Sequence, residues 1–328
     1  MIFLYNIWYS NSIQYKLISF LFYPISLLWI FVDKLKFLLI KPYASYIKVI
    51  CVGNINVGGT GKTPIAIFIF KLLKKMGYNP IFLTSGYKGK VSKPSLVNKN
   101  VSLFGDEAIV LKNIGPTVVS KNKLEGIKYI ETLNSKKINY NIIIMDDGLQ
   151  NYSIKKDLCF LTVDRKLLFG NEFCLPSGPL RQSFRSCKKI INKIILTGNH
   201  NFVIKHNIFR QDTLNSYIKV NKGSFKTKFL AFSGLGNNFK FIDTLKSANY
   251  NIALTKQFQD HHNYKENEII NLIKLADDNN LRLITTEKDI VKIPKKYHSK
   301  INCLKMKIEF DKHDLISLKL LLKKKLND

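Results

Sequence analysis

Arginine is scarce in this chain: of 52 basic residues only five are arginine, Arg165, Arg181, Arg185, Arg210 and Arg282. A net charge of +29 over 328 residues invites a nucleic-acid reading. Planar, bidentate contacts to phosphates and base edges, however, are made above all by arginine. The lysines run evenly along the chain with isoleucine and asparagine and are not gathered into one basic face. Nucleic acid is therefore not an expected partner. The charge fits an anionic membrane surface or a polyanionic substrate instead.

Cysteine is sparse too. Cys51, Cys159, Cys174, Cys187 and Cys303 form no C-x-x-C pair and no His-Cys spacing, which excludes a disulfide framework and a zinc finger. Cys51 and Cys159 lie in apolar runs, where cysteine acts as a small hydrophobe. Reduced thiols in a cytosolic compartment are the expectation. No repeat recurs at the usual spacing and no segment is biased enough to be disordered. A chain with 46% apolar and 23% charged residues is globular, and its length allows two cores.

The first 41 residues break this even texture. Leu17 to Val32 is apolar except at Ser19, Tyr23, Pro24 and Ser26, and a lysine-punctuated run follows it. No small-residue cleavage site marks a signal peptide. A sixteen-residue helix reaches roughly 24 Å, short of the ~30 Å hydrocarbon layer, and Pro24 is expected to kink it. Trp8, Tyr9, Tyr23 and Trp29 resemble interfacial aromatics, and the lysines suit anionic headgroups. The pattern predicts a membrane-associated helix lying in or dipping into one leaflet.

The densest signal follows. Ile47–Val52 reads as a strand, Pro64–Met76 as a helix, and between them lies Asn56-Val57-Gly58-Gly59-Thr60-Gly61-Lys62-Thr63. Strand, glycine loop, Lys-Thr and helix form the layout of a phosphate-binding loop. The glycines let N–H groups close on phosphates, and the helix N-terminus adds partial positive charge. Lys62 is placed to reach the β- and γ-phosphates and Thr63 to offer a hydroxyl to Mg²⁺. Asn56 stands where the motif has its first glycine. ATP with Mg²⁺ is the expected ligand.

Strands and helices alternate from there: strands at Asn79–Thr84, Pro116–Ser120, Tyr140–Met145, Leu158–Val163 and Lys193–Leu196, with helices at Asp106–Asn113 and Leu124–Asn134. The expected class is α/β: a phosphate-loop NTPase-like, doubly wound parallel sheet with a second, smaller α/β domain. That second unit has strands at Phe229–Phe232 and Leu281–Thr285 and helices up to Ala248, at Glu266–Asn280 and at Leu315–Leu326, the last with a solvated basic face. The expected division is 1–41, 42–205 and 206–328.

Asp146 and Asp147 end the run Tyr140–Met145, where such a fold keeps its second Mg²⁺-handling element. Three other motifs say less alone. Asp106, after Gly105, reads as a helix N-cap. Asp260-His261-His262 sits in a loop, and His200, His206, His298 and His313 supply no third metal ligand at usable spacing. Thr286-Glu287-Lys288-Asp289 reads as a helix cap.

Taken in order, Val52-Gly53-Asn54 with the glycine loop, Gly105-Asp106-Glu107, Asp146-Asp147-Gly148-Leu149-Gln150, Leu175 to Arg181, Ser233-Gly234-Leu235-Gly236-Asn237, Asp260-His261-His262 and Thr286 to Asp289 resemble the tetraacyldisaccharide 4′-kinase family over nearly the whole chain. The resemblance implies ATP-dependent phosphorylation of the 4′-hydroxyl of an acylated glucosamine disaccharide 1-phosphate, at the cytoplasmic face of the inner membrane. It implies Asp106 as the base, His261 with Asp260 as its partner, Glu107, Asp146 and Asp147 on the Mg²⁺-ATP side, and Arg181 near phosphate or substrate. Four positions depart from the family pattern: Ser85 and Lys123 stand where it often has arginine, Asn151 where it has histidine, and Gln259 where it has proline. These predict weakened or rebuilt phosphate and substrate contacts. The rival from another class is a membrane-bound nucleotide-switch ATPase, which usually carries a lysine before its Gly-Gly pair, where Val57 stands here. A cytosolic ATP-dependent ligase would not need the hydrophobic N-terminus.

Overall fold

The computed structural model describes residues 2–98, 100–135, 138–198, 213–235 and 238–327. His200, His206, Gly236 and Asn237 lie outside these. The apolar N-terminus forms three helices where one was expected: α1 (Ile2–Tyr9), α2 (Ile13–Leu21) and α3 (Tyr23–Leu39). Pro24 stands in the first turn of α3, where its missing N–H costs nothing, and the expected kink is the 53° bend at the break between α2 and α3. The indole N–H groups of Trp8 and of the exposed Trp29 donate to the carbonyls of Pro176 (3.1 Å) and Arg181 (2.7 Å).

β1 (Lys48–Gly53) leads through the glycine loop into α4 (Lys62–Lys75), then β2 (Pro80–Thr84) and β3 (Ser95–Leu96). α5 (Val101–Phe104), α6 (Asp106–Lys112), β4 (Thr117–Val119), α7 (Lys123–Ser135), β5 (Ile142–Asp146), β6 (Leu158–Asp164), α8 (Phe184–Cys187), β7 (Lys193–Thr197) and β8 (Thr213–Val220) follow. The second unit adds β9 (Lys228–Ser233), α9 (Asn238–Ser247), β10 (Asn251–Gln257), α10 (Glu266–Asp278), β11 (Arg282–Thr286), α11 (Glu287–Ile290) and β12 (Ile301–Leu304), before β13 (Met306–Phe310) and α12 (Lys312–Asn327).

Among the described residues nine strands form one sheet in the order β13-β8-β7-β6-β1-β5-β2-β4-β3, and four form another, β10-β9-β11-β12. The large sheet is parallel except at its ends, where β13 and β3 pair antiparallel with β8 and β4. Both of its faces are covered, which explains the continuous apolar strands. On one face Cys51, Leu83, Ile143 and Met145 meet Ile127 and Ile130 of α7. On the other Ile50, Val52, Phe82 and Ile144 meet Ile65, Ile69 and Leu73 of α4.

Leu318 and Leu322 of α12 join the second of these clusters. So β8, β13 and α12, which fall in the 206–328 segment, pack with the large sheet. The chain leaves that sheet after β8 and returns to it at β13. The outer face of α12 is not wholly basic, since Ile316 and Leu320 are exposed beside its lysines. The small sheet is parallel and has its own core around Leu230, Phe232, Leu272 and Leu283.

Candidate active site

The phosphate loop leaves the C-terminal end of β1, where the order of the parallel strands reverses. Gly58 and Gly61 have φ of 105° and 84°, left-handed values that glycine adopts without strain. A side chain at Gly61 would also meet Thr197 at 3.2 Å. Thr197 is there because its hydroxyl donates to the Thr60 carbonyl (3.0 Å), while the Thr60 hydroxyl meets that of Thr162 (2.9 Å). β6 and β7 therefore anchor the loop's rim.

On the inner side the Asn54 amide donates to the carbonyls of Asn56 (2.9 Å) and Gly58 (3.3 Å). Asn56, in place of glycine, is buried and donates to the Leu168 carbonyl (2.8 Å), and its backbone bridges Leu180. The Val57 N–H donates to Pro179 and the Arg181 N–H to Ile55. The segment 179–181 thus lies along the loop like a short paired strand.

Lys62 and Thr63 open α4. Lys62 donates to Asn54 Oδ1 (3.0 Å) and lies 3.6 Å from Asp147, with burial pushing its ammonium below the usual lysine range. Thr63 donates to Asp146 Oδ2 (3.0 Å). Asp146 ends β5, and its Oδ1 is buried with no hydrogen-bond partner. Burial, then the nearby charge of Glu107, push this carboxyl up to about 6. An orphaned carboxylate oxygen beside a threonine hydroxyl fits the oxygen donor set of a hard divalent cation.

Asp147 faces elsewhere. Its oxygens take the Arg181 guanidinium at 2.9 and 3.2 Å, so two residues predicted for separate duties meet each other. Burial opposes this charge, but Lys62 and Arg181 hold the carboxyl below its ordinary value.

Asp106 comes from a different part of the fold. The cap position of α6 is Gly105, and Asp106 is the first helical residue. Its Oδ1 accepts the N–H of the next residue, Glu107 (2.8 Å), which is not the N-cap bond expected, while Oδ2 faces His261 Nδ1 at 3.0 Å. His261 Nε2 lies 3.8 Å from the exposed Asp260, and Tyr87 packs on the ring at 5.1 Å between centroids. Burial raises the Asp106 carboxyl, but the His261 hydrogen bond and the charges of His261, Lys288 and Lys292 outweigh it and hold the group below the carboxylate range. Glu107, expected on the Mg²⁺ side, is ion-paired with Lys288. Thr286 caps α11 by accepting the Asp289 N–H, as the motif predicts.

Of the departures from the family pattern, Lys123 has a structural role, and so does Asn122 before it. Asn122 accepts the N–H groups of Leu124 (3.0 Å) and Glu125 (3.4 Å) at the start of α7. Lys123 is buried beneath the site, donating to the carbonyls of Leu83 (3.3 Å) and Asp146 (3.1 Å), and burial pushes its ammonium down to about 8. The Gln259 carbonyl accepts the His262 N–H. Nothing in the structure explains Ser85. Lys288 and Lys292 had no assigned role; their one signal in the sequence is lysine at i and i+4 beginning inside the Thr286–Asp289 motif. Among the described residues no three His, Cys, Asp or Glu side chains form a metal cluster.

The chain is similar in sequence and in fold to known proteins. A family model described as Tetraacyldisaccharide-1-P 4'-kinase matches residues 18–326. A tetraacyldisaccharide 4'-kinase of Rickettsia typhi is 36% identical over 310 residues, covering 93% of this chain and 95% of the relative. One from Rickettsia canadensis is 36% identical over 311 residues, covering 93% and 94%. A crystal structure of LpxK from Aquifex aeolicus in complex with ATP has a TM-score of 0.76 at 22% identity, over 94% of this chain and 99% of that one. This last likeness speaks to fold alone.

Proposed function

The chain belongs to the tetraacyldisaccharide-1-P 4'-kinase family, and from that premise we propose that it transfers the γ-phosphoryl group of ATP to the 4′-hydroxyl of tetraacyldisaccharide 1-phosphate, in lipid A biosynthesis. The observation that carries the reading is the meeting of two half-sites. The phosphate loop with Lys62 and Thr63 lies beside Asp146, and the Asp106–His261 pair is held between the large and small sheets.

Asp106 accepts the proton of the hydroxyl as its oxygen bonds to the γ-phosphorus and the bridging P–O bond breaks toward ADP. His261 orients the carboxylate through Nδ1, with Asp260 on its far side. Lys62, the loop N–H groups and the α4 N-terminus meet the phosphates, and Arg181 lies within reach of Asn54 and the loop. Mg²⁺, which supplies charge neutralisation between the phosphates when bound, is held by Asp146 and Thr63 in this reading. Most of the acceleration comes from positioning and preorganised charge, because phosphoryl transfer asks little covalent chemistry of the protein.

The acceptor carries acyl chains that are costly to pull from a bilayer, at ~0.8 kcal/mol per CH₂. α2 and α3 suit such a substrate: Leu17, Phe20, Leu21, Leu28 and Phe31 are each at least 61% exposed. No single described helix is long and apolar enough to cross a membrane; α2 and α3 together reach that length and composition, with a 53° bend. We place the helices in one leaflet at the cytoplasmic face of the inner membrane. The kinase test is transfer of ³²P from γ-labelled ATP to tetraacyldisaccharide 1-phosphate in mixed micelles. Labelled lipid is expected with Mg²⁺ and lost with EDTA; no label from protein that binds ATP would sink the reading. Co-sedimentation with anionic vesicles, lost on removing residues 1–41, tests the membrane placement.

A further inference from the structure

Lys292 is only 3% exposed, an unusual place for an ammonium group. Its close partner is Asp289 Oδ1 at 2.8 Å, and Asp289 is fully buried. Asp289, however, already has other donors. Oδ1 accepts from Gly234 N–H (3.2 Å) and Tyr264 O–H (3.0 Å), and Oδ2 accepts from the Thr286 hydroxyl (2.7 Å). A carboxylate satisfied in this way does not by itself call for a buried lysine. Beyond Asp289 the ammonium reaches toward Asp106 Oδ2, 3.9 Å away, the oxygen that faces His261 at 3.0 Å. Four residues earlier, Lys288 pairs with Glu107. α11 and the turn that follows it therefore present two lysines to the two consecutive carboxylates that open α6.

We propose that Lys292 is a positioning residue for the base, acting through Asp106 with Asp289 as its anchor. The proposal rests on the kinase reading above. Asp106 is then held from three sides: by the Glu107 N–H on Oδ1, and by His261 and Lys292 of the small-sheet unit on Oδ2. The base is fixed relative to the phosphate loop only while the two units keep this contact. At 3.9 Å the contact is electrostatic and not a hydrogen bond. It orients the carboxylate without taking the lone pair that a substrate hydroxyl needs.

The test is steady-state kinetics of the full chain with ATP and tetraacyldisaccharide 1-phosphate in mixed micelles. Wild type is compared with Lys292→Met and Lys292→Arg, and Lys292→Met is repeated in an Asp106→Asn background. Lys292→Met is expected to lower kcat about 10²-fold, the effect of a misplaced reacting group. Both KM values should stay within about twofold, since ground-state binding is untouched. Lys292→Arg should recover kcat to within about tenfold of wild type, because it keeps the charge. In the Asp106→Asn background Lys292→Met should cost nothing further, the coupling expected of residues that act as a unit. An unchanged kcat in Lys292→Met overturns the proposal. So does an equal loss without the base, which would mean the lysine only supports the fold. Should Lys292→Met not fold, Lys292→Gln keeps a donor for Asp289 and carries the same expectations. Absence of transfer by the wild type would bring down the kinase reading and this proposal with it, whereas failure confined to the variants leaves that reading standing.

Discussion

Asp146 and Asp106 are both buried carboxylates, yet their surroundings are built in opposite ways. Asp146 takes its hydrogen bonds from the large-sheet unit: Thr63 of α4 on one oxygen, and Lys123 of α7 on its backbone carbonyl. Its other oxygen has no partner, and burial pushes it up to about 6. Asp106 stands on the same unit but takes its compensation from the other one, through His261, Lys288 and Lys292, and is held low. The difference separates two kinds of readiness. In the proposed reading one carboxylate receives a cation, and the other, already supplied with cations, receives a proton. It also separates a half-site that one sheet can form from one that exists only where two units meet.

The most damaging change should fall on the base. Asp106→Ala is expected to reduce phosphoryl transfer by about 10²–10⁴-fold, the usual contribution of a positioned base. ATP affinity should be retained, because the phosphate loop touches none of its partners. Label transfer and ATP titration on the same preparation check this, and a wild-type rate in Asp106→Ala would refute the base assignment. Lys62→Ala comes next. A cation within the phosphate loop is worth about 10²–10³-fold in rate, comparable to a lost oxyanion donor, and here ATP binding should weaken as well. If Lys62→Ala left ATP affinity intact, the two half-sites would not divide the work as described.

A smaller effect concerns pH. The folded Asp106 carboxyl lies below its unfolded value, so the folded state favours the ionised form. Its contribution is present above the ordinary carboxylate range and is lost as pH falls through the lowered value. His261 supplies the largest of the lowering contributions. His261→Ala should therefore move the acid limb of the kcat profile upward while leaving the pH dependence of ATP binding where it was. An acid limb that stays in place would mean that Asp106 does not depend on the small-sheet unit.

The contrast also explains what the sequence revealed. The phosphate loop and Asp146 were legible because their chemistry is written in contiguous residues at the end of an apolar strand. Asp106 and His261 are separated by 155 positions, and neither spacing nor periodicity brings them together; only the resemblance to a family joined them. Lys292 was missed for the same reason, since a lysine after a short helix reads as surface until a second unit covers it. β8 and β13 escaped because these last two strands of the sheet mix buried with partly exposed residues and lack the continuous apolar signal of β1 or β5. The N-terminal helices were legible as apolar but not as three pieces. Their inner contacts are made by serines and tryptophans that a hydropathy pattern counts as interruptions.

Those serines yield the last and mildest test. Ser19 Oγ donates to the Ser177 carbonyl (2.8 Å) and Ser177 Oγ to that of Ser19 (2.7 Å), while Ser26 Oγ donates to Cys174 (2.8 Å) and accepts the Ser177 N–H (3.1 Å). The loop they grip continues to Arg181, which reaches Asp147 and the phosphate loop. The N-terminal helices, lipid-facing in the proposed reading, are thus tied to the phosphate-loop half-site and not to Asp106. Ser26→Ala removes a donor and an acceptor and should cost about 1–3 kcal/mol, since it leaves buried groups unpaired. Vesicle binding should hold, because the exposed apolar faces of α2 and α3 are unchanged. Any kinetic effect should appear with ATP and be no larger after the base is removed by Asp106→Asn than before. If Ser26→Ala instead released the protein from vesicles while ATP kinetics stayed level, the serines would serve only to hold the helices together, and the tie between membrane and phosphate loop would be lost.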